Sequence, residues 1–413
     1  MQMESRQVPQ KSIQTFFSIL KDYINQQEMD TFATPMTEEL LDDLCYLGAI
    51  HSVAPVLYYM FRKREKELVD LWPEQMNWLR QQYIFAVTRS INQEIGKKEI
   101  QEAFRSQGIP VIFFKGIQIR SFYPVPETRT MGDLDCLIRE EDRSRAHEIM
   151  IDLGYSCSAD QGNVWVYSKG MVVIEMHSRI AGNNISNGVD YMQFFSDAMN
   201  RTIEEDEELC LKKEYHFCFL IYHIAKHLSS TGAGVRMFMD LVIFLKHYGM
   251  AFDKEEEERL LKEASLDKVA VTIGNLCNRW FGFWWGIEEM PEEVLNELEE
   301  YVVAGGTFGF ATHNIGDVYR RKSYEKPGTG RDTEQKRTIK MFWHYLFPGK
   351  EYMSMFIPGV KKQTWLLPAA WVKRGWIGLF RRRQHTFSTI RSMTKNDGNR
   401  SYREYQMLKK IGL

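Results

Sequence analysis

The sequence is short of several features that would settle its class at once. Its six cysteines (Cys45, Cys136, Cys157, Cys210, Cys218 and Cys277) form no CxxC pair, so neither a zinc ribbon nor a disulfide framework is implied. Cys136 and Cys218 sit in apolar runs and are expected to be buried thiols. The sequence has no run of about 18 apolar residues, the length that a spanning helix needs. The opening stretch MQMESRQVPQKSIQTFFSIL has no apolar core of the signal-peptide kind. These absences give a reduced cytoplasmic compartment as the expectation. The Gly-rich stretches GGTFGF (305–310) and KPGTGRD (326–332) do not continue into Gly-Lys-Ser/Thr, so neither is a Walker A loop. A net charge of −2 and a pI near 6.6 carry no global signal for nucleic acid. There are no internal repeats.

What is present is ordinary globular composition: 413 residues, 44% hydrophobic and 26% charged, enough for a large core and two or three domains. Ten Trp and 25 Phe exclude a disordered chain. Four regions are expected, with boundaries at 1–95, 96–190, 191–345 and 346–413. The first is helical. TEELLDDLCYLGAI starts as a capped helix at Thr37 with acidic residues behind it. A long helical periodicity then runs from PEQMNW to a stop at Gly108. The second is an α/β core. IPVIFFKG (109–116) reads as a buried strand, IQIRSFYP as a short helix stopped by Pro124, RTMGDLDCLI (129–138) as a second strand, and EEDRSRAHEIMIDLGY as an amphipathic helix. NVWVYSKGMVVIEMH reads as a hairpin around Lys169-Gly170. In the third region helices return, with EYHFCFLIYHIAKHL apolar nearly all round and VRMFMDLVIFLKHYG a second core helix. The fourth has nine Lys/Arg and no acidic residue between Glu351 and Asp397, with Trp365, Trp371 and Trp376 among them.

The chemistry gathers on carboxylates. Asp133 and Asp135 bracket Leu134, and on a strand both point to the same face. They stand either in solvent at a strand start or on a divalent cation. Glu175 and His177 share a face on the outer strand of the expected hairpin. If that strand neighbours the Asp strand, three carboxylates converge, a donor set suited to Mg²⁺ or Mn²⁺. His223 and His227 share a helix face. That spacing permits zinc, but no Glu lies between them and no third ligand is evident, so a packed or site-lining pair is expected. Arg236 and Asp240, one turn apart, are either an intrahelical ion pair or a wall of a cleft.

The stretch FFKGIQIRSFYPVPETRTMGDLDCLI resembles the core of the nucleotidyltransferase-fold superfamily: a strand, a Gly turn opening a short helix, then a DxD strand. More narrowly it is similar to a poorly characterised bacterial nucleotidyltransferase group with a KG…YP…R…DxD signature. Lys115-Gly116, Tyr123-Pro124, Arg129, Asp133 and Asp135 carry that signature. Glu175-Met176-His177 and Arg236 with Asp240 match its later elements. The superfamily usually has Gly-Ser at the phosphate turn; here Lys115-Gly116 stands in its place, without the serine hydroxyl. Its third carboxylate is most often Asp, where this chain has Glu175.

The resemblance implies an α+β fold, a nucleotidyltransferase-like mixed β-sheet core embedded in a largely helical chain. It implies a metal-dependent transfer of an NMP from an NTP to an acceptor hydroxyl, with pyrophosphate released. Asp133, Asp135 and Glu175 would hold Mg²⁺ or Mn²⁺. Lys115, Gly116, Arg129, His177, Arg236 and Asp240 would bind the nucleotide, with Arg129 alternatively an ion-pair partner of the aspartates. The acceptor is a small molecule, a protein or RNA; near-neutral charge favours the first two. The alternative is a non-catalytic nucleotide-binding or scaffolding protein on the same fold. The basic run 359–383 either packs on the core, meets an anionic membrane surface or meets nucleic acid. Pro358 and Pro368 are expected to break a long amphipathic helix there.

Overall fold

The computed structural model describes residues 7–28, 35–159, 162–182, 185, 187–205, 207–230, 232–286, 288–307, 345–350, 363–380 and 398–413, with 321, 324, 343, 353 and 360 as single positions. Five helices precede the first strand: α1 (Gln10–Ile24), α2 (Glu38–Ile50), α3 (Ala54–Phe61), α4 (Glu65–Leu71) and α5 (Pro73–Ser106). Thr37 caps α2, its hydroxyl accepting from the Leu40 N–H at 3.2 Å. Helix α5 has 34 residues and ends where Gly108 takes a φ of +67°, a conformation that suits glycine. The expected boundary at 95/96 falls inside this helix.

The chain then enters a mixed five-stranded sheet. Strand β1 (Ile112–Phe114) leads to the short helix α6 (Gly116–Arg120), then β2 (Leu134–Leu137), α7 (Arg143–Asp152), β3 (Ser156–Ala159), β4 (Val164–Lys169) and β5 (Val172–His177). The strand order is β1-β2-β5-β4-β3, with β2 and β5 parallel and every other pair antiparallel. The hairpin at Lys169-Gly170 forms as β4–β5, but its second strand is not outer: β5 lies at the middle of the sheet. Alternation then sorts the side chains. Leu134, Cys136, Ile174 and Met176 face a core shared with Ile100 and Phe104 of α5 and Ala146 and Met150 of α7. Asp135, Glu175 and His177 take the opposite face.

That opposite face meets helices. After α8 (Tyr191–Phe194) the chain forms a two-stranded sheet, β6 (Thr202–Glu205) and β7 (Glu208–Leu211), within a region expected to be helical. Its sequence, TIEEDEELCL, is too acidic to give an apolar alternation. Helices α9 (Lys213–Ser229), α10 (Val235–Tyr248), α11 (Lys254–Glu263), α12 (Asp267–Phe281) and α13 (Glu292–Gly305) follow. Helix α9 is buried almost all round, as its composition requires. Helices α1–α3 share one core with α9–α13; Phe17 of α1 stacks on Trp280 of α12 at 4.6 Å. Two helices therefore unite regions far apart in sequence. The fold is α+β, a mixed sheet within a largely helical chain.

In the C-terminal region, Pro368 does not break a helix but stands as the second residue of one, Leu367–Phe380, where proline is tolerated. Trp371 donates to the Pro348 carbonyl at 2.9 Å, whereas Trp365 and Trp376 are exposed. Pro358 and the loop KPGTGRD lie outside the described residues. No helix among the described residues is long and apolar enough to cross a membrane. Because Phe17 joins N-terminal to C-terminal helices, Phe17→Ala should destabilise the whole chain by about 3–5 kcal/mol. Urea unfolding should show one shifted transition; a separate early loss of the N-terminal helices would contradict the shared core.

Candidate active site

The site is built from three short segments converging on the polar face of the sheet. The first is the turn between β1 and α6. Lys115 takes a φ of +58° and a ψ of −129°, a region that a non-glycine residue rarely occupies. Its N–H donates to Nε2 of His216 on α9 at 3.3 Å. Burial pushes His216 down to about 3, which keeps that nitrogen neutral and able to accept. The Lys115 side chain turns back across the strand, its Nζ donating to Asp135 Oδ1 at 2.6 Å. Gly116 follows, and only glycine fits there: a Cβ would stand 2.9 Å from Arg129 Cζ.

The second segment carries the DxD motif. Helix α5 steadies it from one side, with Arg89 donating to the Gly132 carbonyl at 2.8 Å. Helix α10 steadies it from the other. Asp240 accepts both Nε and Nη2 of Arg129, at 2.9 and 2.7 Å, and the Tyr123 hydroxyl at 2.6 Å. Arg236 donates to the Thr130 hydroxyl at 3.0 Å. Arg236 and Asp240 are therefore not an intrahelical pair, and Arg129 pairs with Asp240 rather than with the DxD aspartates. Both α10 side chains instead grip the segment leading into Asp133.

The third segment is β5. Its parallel register on β2 sets Glu175 beside Asp135 and His177 beside Leu137. Asp135, Glu175 and His177 each offer a ligand atom, all within 4.8 Å of one another. Asp133, just ahead of β2, lies outside that group but lines the same cleft. His177 is buried and does not line the cleft; its Nε2 sits 2.8 Å from Asp135 Oδ1 and 3.7 Å from Glu175 Oε2. The structure thus sets it behind Asp135.

The electrostatics of the two central carboxylates diverge. Burial pushes Asp135 up, but Lys115 and His177 outweigh it and hold the carboxyl at about 2. Glu175 is pushed up to about 7, by burial first and then by Asp133 and Asp135 beside it.

The cleft above these groups measures about 310 Å³. Lys115, Gly116, Arg129, Asp133, Asp135, Glu175, Arg236 and Asp240 all line it, and so do His223, Lys226, His227 and Thr307. Lys226 was not apparent from the sequence. The one signal was its place between two histidines on a helix otherwise apolar. Burial holds His223 well below its ordinary value and His227 at about 4, so both are neutral at neutral pH. Their rings pack edge to face with centroids 4.7 Å apart.

A family model described as an uncharacterised nucleotidyltransferase matches residues 37–282. The chain belongs to this family. It is accordingly an enzyme of nucleotidyl transfer. Two solved structures, both of the nucleotidyltransferase ANT(2″)-Ia, are similar to it. One is a solution structure of that antibiotic-resistance factor, 16% identical, TM-score 0.32, covering 43% of this chain and 91% of that one. The other is a crystal structure in complex with adenylyl-2″-tobramycin, 15% identical, TM-score 0.32, covering 42% and 97%. No curated protein matches the chain.

Two outcomes follow from this geometry. Asp240→Ala leaves the buried Arg129 guanidinium uncompensated and should cost about 3–5 kcal/mol in urea unfolding. Glu175 binds its proton more tightly folded than unfolded, so its contribution favours the folded state below pH 4.5 and is lost as pH rises through about 7. With metal chelated, Glu175→Gln should therefore lose less stability than the wild type between pH 5 and 7.5. The difference should be about 1 kcal/mol after solvent screening. Equal losses would show that Glu175 is not under this repulsion.

Proposed function

We propose that this family member is a divalent-cation-dependent nucleotidyltransferase moving an NMP from an NTP to an acceptor hydroxyl. The observation that carries the reading is the parallel register that sets Asp135 beside Glu175 at the floor of the cleft, with Asp133 at its edge. Asp133, Asp135 and Glu175 are the proposed ligands of Mg²⁺ or Mn²⁺; their oxygens fit a hard cation, and the raised affinity of Glu175 for protons fits the demand for one. When bound, such a cation neutralises phosphate charge and the charge developing on the attacking and leaving oxygens.

The chain's own residues bind and orient. His177 and Lys115 fix the Asp135 carboxylate from two directions. Arg129, held by Asp240, lies against Gly116, and the backbone of the turn and this guanidinium are the proposed contacts of the nucleotide. The acceptor oxygen bonds to the α-phosphorus, the bond to the pyrophosphate oxygen breaks, and the hydroxyl proton passes to solvent. Positioning and charge neutralisation supply most of the rate. The region 96–190 is read as the catalytic core and 191–345 as the wall that selects the acceptor, a small molecule, protein or RNA. The region 359–383, with its exposed Trp365 and Trp376, is a candidate contact for an anionic surface.

The test is transfer of label from α-labelled NTPs into a cell extract with Mn²⁺ or Mg²⁺. Asp133→Ala/Asp135→Ala should reduce transfer by at least about a hundredfold, and the same variant should lose thermal stabilisation by NTP plus metal. Undiminished labelling by the double variant would refute the mechanism. NTP binding without any transfer would favour a nucleotide-binding scaffold.

A further inference from the structure

Helix α5 carries a second seam on the side away from the two cores. Its inward residues Leu79, Ala86, Gln93 and Ile100 are buried and recur every seven. Its outward residues Ile84, Thr88, Ile91 and Ile95 are exposed and recur at spacings of four, three and four. That is the heptad period of one helix lying along another. Ile84, Phe85, Ile91 and Ile95 are between 53% and 62% exposed, and their spacing makes them one continuous patch rather than scattered apolar positions. The period runs on at both ends with exposed polar residues, Asn77 and Gln81 before the patch and Lys98 and Glu102 after it. An apolar centre with polar ends is the make-up of a protein interface.

The seam is its own complement. Laid antiparallel on a second copy, it sets Ile84 opposite the partner's Ile95 and Thr88 opposite the partner's Ile91. The ends then set Gln81 against the partner's Lys98 and Asn77 against the partner's Glu102, and no like charges meet. A parallel pairing would oppose Lys98 to the partner's Lys98 and Glu102 to the partner's Glu102, which is repulsive. The seam from 77 to 102 is about 38 Å long, and half the girth of a helix about 10 Å across gives roughly 600 Å² per partner. The two partners together then bury about 1,200 Å², which reaches the size of a specific, stable interface.

We propose that the exposed seam of α5 is the interface of a two-fold, antiparallel dimer of this chain. The dimer covers the apolar patch and leaves the polar ends at the rim. It is also continuous with the site. Phe85, within the patch, lies beneath the Arg89 guanidinium at 5.8 Å, and Arg89 donates to the Gly132 carbonyl just ahead of Asp133. The partner therefore backs the side chain that steadies the entry to the DxD motif.

The experiment is sedimentation equilibrium of the full chain over about 1–100 µM. The mass should rise with concentration from 48.7 kDa toward twice that value. Ile91→Glu, present twice at a two-fold interface, should raise the dissociation constant at least about thirtyfold with an unchanged circular dichroism spectrum. Ile95→Glu should do the same, so the result does not hang on the folding of one variant. Cross-linking reads the direction of the pair. Ile84→Cys mixed with Ile95→Cys should form a disulfide under a mild oxidant. Ile95→Cys alone should not, because the antiparallel seam holds its two copies about 16 Å apart along the axis. A wild type that stays monomeric over the range overturns the proposal and leaves the face to a different partner. A dimer that both Glu variants leave intact, or Ile95→Cys linked to itself, also overturns it. None of these readouts uses nucleotide, so failure of the transferase reading would leave them unchanged.

Discussion

The parallel pairing of β2 with β5 is the constraint around which this protein is arranged. It sets Asp135 beside Glu175, and like charges directly opposite on neighbouring strands oppose the pairing that holds them. The strands cannot escape by slipping one residue. A slip would send Cys136, Ile174 and Met176 to the polar face and bring Asp135 and Glu175 into the core beneath α5 and α7. The apolar face fixes the register, and the register imposes the repulsion. What surrounds the two carboxylates is best understood as the means by which the fold tolerates it.

Those means come from three directions. Lys115 and His177 both bond Asp135 Oδ1, so one carboxylate is kept ionised from below while Glu175, at the cleft, is left with its proton affinity raised. Helix α10 contributes at a distance. By taking Arg129 and Tyr123 onto Asp240 and Thr130 onto Arg236, it fixes the path of the chain into Asp133 without touching the motif. Helix α5 does the same from the other side through Arg89. The site is thus rigid where its backbone enters and electrostatically unsatisfied where it opens, which is the distribution a cation and a polyanion would complete.

The local elements were legible because their periods are strong. The apolar runs of β1, β2 and β5 and the glycine stops at Gly108 and Gly249 stand near where the pattern put them. The hairpin at Gly170 does too. Of the three expected carboxylates, Asp135 and Glu175 come together across the parallel pair, whereas Asp133 stands just ahead of β2 and outside that group. What could not be read was partnership. Arg236 and Asp240, one turn apart, look like each other's partner on a helical wheel, yet each reaches instead for a loop more than a hundred residues earlier. His177 shares the face of Glu175 but is buried by Phe114 at 5.5 Å. Lys226 reads as a break in an apolar helix until the sheet is placed opposite it. β6 and β7 went unseen because an acidic hairpin has no apolar alternation.

The turn at Lys115-Gly116 gathers these points into one trade of chemistry. Lys115 holds a φ of +58° at a cost of order 1–3 kcal/mol. Its ammonium offsets that by neutralising Asp135, and the His216 bond to its N–H keeps the strained backbone from relaxing. Glycine moves one place on, where its missing Cβ is what lets the Arg129 guanidinium lie against the turn. The two residues that depart from the expected motif therefore set an ammonium against the Asp135 carboxylate and leave room for the Arg129 guanidinium beside the turn.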